Sequence, residues 1–403
     1  MAHRDDGPFW IDGEAAARKA AVRTTTGGGV PALPGARITV HLDRVEDNVR
    51  TLAGRLPGLS LVGVTKSACG DPSIAQAMVR GGAVALADSR LPNLQRLRDA
   101  GIQGPLWLLR APAPAQAADV VRLADVSLES EIVTVRALNA AAGSLGVIHE
   151  IVCMVELGDL REGIMPDELP ALIEQAEALE HVRVAGLGVN LSCFGGIVPT
   201  QENLGRLVDL AAVAQSRLGR PLIVSGGNSS TLPLALAGGL PPGIDSLRSG
   251  ESILQGVDTL TREPLLPDLH LDAFMIRAPI VECLVKPSRP IGERAQDAFG
   301  GDPAPCEDRG LRRRALVALG RQDVNPGFLT PIDSRVKVLG MSSDHLVVDV
   351  EEVRPAPRVG DVVEFIPGFA SVLQAFTSRY VEKEYVGGPA GVFAAGGSEP
   401  TQR

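Results

Sequence analysis
Between residues 59 and 248, eight short apolar runs alternate with amphipathic stretches, and this alternation limits the possible fold more than any other feature of the chain. The runs span residues 59–64, 83–87, 106–109, 126–128, 148–156, 184–191, 222–225 and 245–248. Between them, residues 73–80, 91–100, 132–142, 168–179 and 201–218 repeat apolar side chains at helical spacing. Strands separated by helices make βαβ units, and therefore a parallel sheet. About eight such strands within about 210 residues suit a closed (β/α)8, TIM-like barrel, with an open doubly wound sheet as the competing arrangement.

Past about residue 266 the helical period disappears. Residues 274–285, 334–339, 345–350 and 362–366 read as strands broken by Pro, Gly and Asp, so the expectation is an α/β barrel followed by a C-terminal all-β domain. A chain of 403 residues has room for two such cores. The expected organisation is a flexible arm over 1–35, a barrel over 36–265, a β-domain over 266–387 and a disordered polar tail over 388–403.

The formal net charge of −9 argues against nucleic acid or an anionic membrane as a partner, since both need a basic face. No apolar run is long enough to span a bilayer, and the opening Met1-Ala2-His3-Arg4-Asp5-Asp6 lacks the apolar core of a signal peptide. Five scattered cysteines without a Cys-x-x-Cys pair imply neither a disulfide framework nor zinc, and point to reduced thiols in the cytoplasm.

In a barrel of this kind, function sits where the strands end. Five strand ends here carry unusual residues. Val62-Gly63-Val64-Thr65-Lys66 is an apolar strand ending in a lysine, which desolvation at a barrel mouth turns into a usable amine; a solvated edge charge is the plainer alternative. Glu156-Leu157-Gly158-Asp159-Leu160-Arg161-Glu162-Gly163 sets an arginine among carboxylates around glycine turns, or is a surface turn. Asn190-Leu191-Ser192-Cys193-Phe194-Gly195-Gly196 offers small groups that let a loop lie close to a ligand. Ser225-Gly226-Gly227-Asn228-Ser229-Ser230-Thr231 can present backbone N–H groups and hydroxyls to a phosphate, or simply cap a helix. Arg248-Ser249-Gly250-Glu251-Ser252 adds an arginine and a second amide-rich turn. A lysine on the first strand and a phosphate cradle on the last two constrain the chemistry more tightly together than singly.

From about residue 38 to 385 the chain resembles the fold-type III pyridoxal-phosphate enzymes, and among them the alanine/ornithine racemase group. Lys66 falls where that family carries its Schiff-base lysine, and Arg161 matches the arginine of its Gly-x-x-Arg-x-Gly motif. Asn190 stands near the family's barrel histidine. Asn228 and Ser229 match its Asn-Ser phosphate binders, and Arg248 matches the arginine facing the pyridine nitrogen. Gly250, Glu251 and Ser252 would offer backbone amides to the phosphate. The stretch from Lys286-Pro287-Ser288 through Ile291-Gly292-Glu293, Arg309-Gly310, Leu319-Gly320-Arg321-Gln322-Asp323-Val324 and Leu339-Gly340-Met341-Ser342-Ser343-Asp344-His345 look like the ornithine-racemase branch.

The resemblance implies pyridoxal 5'-phosphate as cofactor, an amino-acid substrate, ornithine or another basic one, and a homodimer with shared active sites. Lys66 would remove the α-proton, with Arg161 in the catalytic set. An arginine at the ring nitrogen argues for racemisation, because a guanidinium cannot accept a hydrogen bond. The alternatives are an amino-acid decarboxylase of the same fold and a non-catalytic pyridoxal-phosphate-binding protein. One departure stands out: where alanine racemases carry a catalytic Gly-Tyr-Gly tyrosine, this chain reads Ile291-Gly292-Glu293-Arg294. The second proton carrier is therefore sought among Cys306, Glu293, Asp297, Glu307 and Asp308, and Tyr380 is assigned to the phosphate.

Overall fold
The computed structural model describes residues 35–301 and 307–388; the arm, Cys306 and nearly all of the tail lie outside the described residues. The described chain opens with β1 (Arg37–His41) and α1 (Leu42–Arg55). Leu42, Val45, Asn48, Val49 and Leu52 form the buried face of α1, at the three- and four-residue spacing of an amphipathic helix.

Eight parallel staves follow: β2 (Ser60–Val64), β3 (Ala85–Asp88), β4 (Leu106–Leu108), β5 (Val126–Glu129), β6 (His149–Met154), β7 (Val182–Gly188), β8 (Ile223–Ser225) and β9 (Ser246–Ser249). They close in that order, β9 pairing with β2, so each of the eight apolar runs becomes a stave of one barrel. The doubly wound alternative is excluded by that closure. Val62, Val64, Ala85, Ala87, Trp107, Val126, Leu128, Val152 and Met154 fill the lumen. Because the outer faces of the staves are covered as well, the strands read as nearly continuous apolar runs.

The covering helices are α2 (Pro72–Gly81), α3 (Leu91–Asp99), α4 (Ala117–Leu123), α5 (Ile132–Leu145), α6 (Leu169–Glu177), α7 (Gln201–Leu218), α8 (Leu232–Leu236) and α9 (Glu251–Gln255). Their starts are chemically marked. Asp71 Oδ1 accepts from the N–H groups of Ser73 (3.0 Å) and Ile74 (3.1 Å), with Pro72 in the first turn of α2. Thr200 and Asn203 form a reciprocal capping box at α7.

Beyond the barrel run β10 (Phe274–Pro287), β11 (Leu311–Val317), β12 (Leu329–Pro331), β13 (Lys337–Met341), β14 (Leu346–Asp349), β15 (Val362–Pro367), the helix α10 (Phe369–Thr377) and β16 (Glu382–Val386). The sheet order is β12-β15-β10-β11-β14-β13, with β1 antiparallel to β10 and parallel to β16. The first strand therefore belongs to this second sheet, and α10 is a helix in a region whose sequence reads as all strand. It packs on the short turn Lys66–Ala68 that follows β2.

Candidate active site
The C-terminal ends of the staves surround a cavity of about 400 Å³. Eight of the ten residues singled out from the sequence line it: Lys66, Arg161, Asn190, Asn228, Ser229, Arg248, Gly250 and Glu251. Ser252 sits just behind, its hydroxyl donating to the Val257 carbonyl (2.7 Å). Tyr380 is not brought to the cavity. It follows α10 on the outside and is 67% exposed. The other tyrosine, Tyr385 on β16, donates its hydroxyl to Asp71 and so ties the β-domain to the start of α2.

Lys66 follows the lumen residue Val64 by two positions, in a turn held by its predecessor. The Thr65 hydroxyl bonds the buried Asp88 carboxylate at the end of β3 (2.8 Å). No hydrogen-bond partner occupies the Lys66 side-chain nitrogen among the described residues; the Phe369 ring lies under it, 5.9 Å from Nζ to the centroid.

On the β8–β9 side, the N–H groups of Gly250 (3.2 Å) and Ser252 (3.4 Å) converge on Ser229 Oγ, which also lies 3.0 Å from Ser249 Oγ. A Cβ at 250 would be tight, 3.1 Å from both the Cβ and the carbonyl oxygen of Val64, so a side chain there would have to push the backbone aside. Asn228 holds its own loop together. Its Oδ1 caps the turn at Ser230 N (2.8 Å), and its Nδ2 donates to Asn190 Oδ1 (2.9 Å) and the Leu191 carbonyl (2.8 Å).

Arg248 is 3% exposed. Its Nη2 donates to the Val189 carbonyl (2.6 Å) and its Nη1 to Ser225 Oγ. Burial pushes the guanidinium down to about 10, which leaves it charged at neutral pH. Arg161 lies across the mouth, paired with Glu162. The loop that carries it is strapped down: Glu156 accepts from Gly158 N (2.6 Å) and Arg161 N (3.2 Å). Gly163, at φ +140°, passes so close that a Cβ would meet Glu156 N at 2.6 Å. Asp159 carries the neighbouring loop on its carboxylate, accepting from the N–H groups of Cys193 (3.2 Å), Phe194 (3.0 Å) and Ile197 (3.4 Å). Burial pushes Asp159 up, but these bonds outweigh it and hold the carboxyl below its usual range.

Sequence reasoning missed Ser89, Arg90, Arg110 and Phe369, which line the cavity, and it placed Glu162 and Cys193 within strand-end segments without giving either a role at the site. The first three stand one or two residues past the apolar runs of β3 and β4, a position that could have flagged them. Burial raises Glu162 and Glu251 above the usual carboxylate range, opposed by Arg161 and Arg262 respectively. Of the expected proton carriers, Glu293, Asp297, Glu307 and Asp308 do not line this cavity. Asp297 caps its own turn through Phe299 N (2.8 Å) and Gly301 N (2.9 Å), which keeps it below its usual range.

Two buried polar atoms at the cavity lack any partner, Asn190 Nδ2 and Thr259 Oγ1. Unpaired buried donors, converging amides, a lysine with an open ammonium and a charged arginine fit a flat anionic cofactor that carries a phosphate. No group of three or more potential metal ligands occurs among the described residues.

Residues 40–256 match the family model described as alanine racemase, N-terminal domain. The chain is 41% identical over 352 residues to an ornithine racemase of Acetoanaerobium sticklandii, covering 86% of this chain and 99% of that protein. It is 36% identical over 353 residues to a lysine racemase of Thermotoga maritima, covering 87% and 98%. Among solved structures, the alanine racemase from D-cycloserine-producing Streptomyces lavendulae superposes with a TM-score of 0.69 at 22% identity, covering 89% of this chain and 98% of that one.

Proposed function
The chain belongs to the alanine racemase family, and from that premise we propose that it interconverts the L and D forms of ornithine or another basic amino acid. That it is a pyridoxal-phosphate-dependent amino-acid racemase follows from its relatives; the basic substrate rests on the two of them named for ornithine and lysine. The observation that carries the site assignment is Lys66, an ammonium with no hydrogen-bond partner among the described residues, facing the Ser229, Gly250 and Ser252 cradle across one cavity.

Bound there, pyridoxal phosphate supplies an electron sink that acidifies the substrate's α-C–H bond. Ser229 and the amides of Gly250 and Ser252 would hold its phosphate, while Asn190 accepts from Asn228 and fixes that loop. Arg248 stays charged and can only donate, so it could take no proton from a ring nitrogen set against it. Lys66 takes the α-proton on one face. A second group must return it on the other, and from this chain Glu162 and Cys193 are the cavity-lining groups placed to be tested first.

We assign the protein to a head-to-tail homodimer in the cytoplasm. Leu284, Val285, Leu311 and the 89% exposed Ile291 are exposed apolar side chains on and beside the β10–β11 hairpin, and a partner covering them supports that assignment. The described cysteines are unpaired, as suits a reducing compartment. No helix among the described residues is long and apolar enough to cross a membrane.

The test is a racemisation screen over the common amino acids by chiral chromatography, with borohydride reduction of the holoenzyme followed by peptide mapping. Turnover of ornithine or lysine and a cofactor label on Lys66 are the expected results. A label on another lysine, or activity confined to neutral amino acids, would overturn the assignment.

A further inference from the structure
Two carboxylates line the cavity, Glu162 and Glu251, and they differ in what surrounds them. Glu162 follows β6, across the lumen from the stave that carries Lys66, and stands near both Arg161 and Arg248. Glu251 follows β9, which is hydrogen-bonded to β2 with Ser249 opposite Gly63, so Glu251 and Lys66 leave adjacent strand ends. Its paired guanidinium is Arg262, and the two meet from different depths. The Glu251 side chain is 13% exposed and that of Arg262 is 56% exposed. The carboxylate is set into the cavity wall, and its cation reaches down from the rim. Burial raises Glu251 above the usual carboxylate range in spite of that pair. An ionised carboxylate has about four lone-pair sites, so one rim arginine leaves room for a second cation.

The loop that supplies Arg262 brings a further polar group. Thr259 also lines the cavity, and its Oγ1 is buried without a hydrogen-bond partner among the described residues. The loop is closed on itself: Val257 bridges Pro264, Asp258 N bonds the Glu263 carbonyl (2.9 Å) and Arg262 N bonds the Asp258 carbonyl (2.8 Å). Thr259 is therefore held at the cavity by its own loop, with its hydroxyl left unused. A buried hydroxyl without a partner is costly unless a ligand completes it. Together the wall offers a desolvated carboxylate and a free acceptor, which is the chemistry that receives an ammonium with its three N–H donors.

We propose that the Glu251 carboxylate and the Thr259 hydroxyl bind the side-chain ammonium of a basic substrate. The proposal rests on the racemase reading above and names the residues that would make its substrate basic. The opposite wall, with Arg161 and Arg248, repels an ammonium, so charge sorts the two ends of the amino acid across the cavity. Three methylenes separate Cα from the terminal nitrogen of ornithine. A subsite on the strand end beside Lys66 is within that reach for a substrate whose α-amino group is held at Lys66. A neutral amino acid of the same length leaves Glu251 to Arg262 and the Thr259 hydroxyl unpaired, and so gains nothing from this wall.

The experiment compares ornithine with norvaline, the same carbon chain without the terminal amine, on the holoenzyme. Binding is followed by the absorption of the cofactor, and turnover by chiral chromatography, in wild type, Glu251→Gln, Thr259→Val and Arg262→Gln. Each result is read as the ratio of ornithine to norvaline affinity, because a variant that only loosens the site or the cofactor weakens both ligands alike. Glu251→Gln is expected to lower the ratio about 30-fold, and Thr259→Val about 5-fold. Arg262→Gln is expected to raise it about 3-fold, since it frees Glu251 from the competing cation. A pair that only braced the loop would give losses in both variants. An unchanged ratio in Glu251→Gln, or a fall in Arg262→Gln as large as that in Glu251→Gln, overturns the proposal. Failure of the racemase reading shows separately, as a wild type that racemises no amino acid while its binding ratio is still measured. A wild type that binds norvaline better than ornithine, and norleucine better than lysine, overturns the basic substrate and this subsite together. If wild type binds lysine better than ornithine, lysine and norleucine form the ligand pair.

Discussion

Asp88 joins the Lys66 turn to the Arg90 strand end, and replacing it tests whether hydrogen bonding or charge holds them together. The carboxylate is buried and accepts from Thr65 Oγ1, Asn93 Nδ2 and Arg90 N. Asp88→Ala leaves the Asn93 amide and the Arg90 N–H without acceptors; Thr65 keeps a longer bond to the Ala87 carbonyl (3.3 Å). Two orphaned donors cost about 1–3 kcal/mol each, and removing a carboxylate that burial already pushes upward returns part of that, so a net loss of about 2–4 kcal/mol is expected. Asp88→Asn behaves differently. Its remaining oxygen still accepts from Asn93 and Arg90, and its new amide donates to Thr65 Oγ1, whose own proton goes to Ala87. That variant should lose less than about 1 kcal/mol. Urea unfolding gives the stabilities, and kcat/KM shows whether the Lys66 turn stays in place, with alanine costing at least about 10-fold and asparagine little. Equal damage from both variants would show that the charge is what matters, and an undamaged Asp88→Ala would show that the two loops are held by something else.

Two further perturbations probe other parts of the structure. Burial raises Glu129 to about 8 from 4.5, with only Ser127 Oγ opposing it (2.7 Å), so the folded state holds this proton more tightly than the unfolded chain does. Stability is then full below about pH 4.5 and falls as pH rises toward 8, by at most about 5 kcal/mol. His149 is pushed down to about 4 and is neutral above pH 7, so in thermal scans the slope between pH 7 and 8 belongs to Glu129, and Glu129→Gln should flatten it. A slope that survives the substitution refutes the assignment. Gly250→Ala sets a methyl 3.1 Å from Val64 and should turn the 250 amide away from Ser229, weakening cofactor retention about 10-fold in titrations of the apoenzyme. Unchanged affinity would remove that amide from the phosphate site.

The staves are legible in the sequence because a barrel strand is covered on both faces, so it appears as a short apolar block with a clear end. Lys66 and Arg248 stand at such ends. What the sequence hides is set by long-range contacts. α1 carries a regular buried face, but its core position 48 is an asparagine, which donates to Ile253 O (2.9 Å) and His270 O (3.0 Å) and so reads as polar surface. β11 contains Arg312-Arg313-Arg314, which breaks the alternation of a strand; Arg312 is tolerated there because Asp349 on β14 receives it (2.8 Å). The family resemblance puts Tyr380 at the phosphate. α10 instead folds Phe369 over Lys66 and leaves Tyr380 outside, an arrangement that depends on how a helix docks on a turn some 300 residues earlier.

One pattern of bonding recurs around the cavity and explains why its cations are available. Asp71 spends one oxygen on the N–H groups that start α2 and the other on the Tyr385 hydroxyl. Asp88 holds the Arg90 backbone, Glu156 holds the Arg161 backbone, and Asp159 holds the 193–197 loop. Each carboxylate sits within a few residues of a lysine or arginine and still bonds main chain or hydroxyl in preference to the cation. The negative charge is thereby used to stiffen the strand ends, where an N–H bonded to a carboxylate is stronger than one bonded to a carbonyl. The guanidinium groups are left facing the cavity. A site built for a phosphate and a carboxylate needs that division, because an arginine already neutralised by its own scaffold has to break an ion pair before it can bind an anion. Arg161 and Arg262 are the exceptions, through Glu162 and Glu251. Burial raises both carboxyls above the usual carboxylate range, so at these two pairs a proton can change which arginine is open.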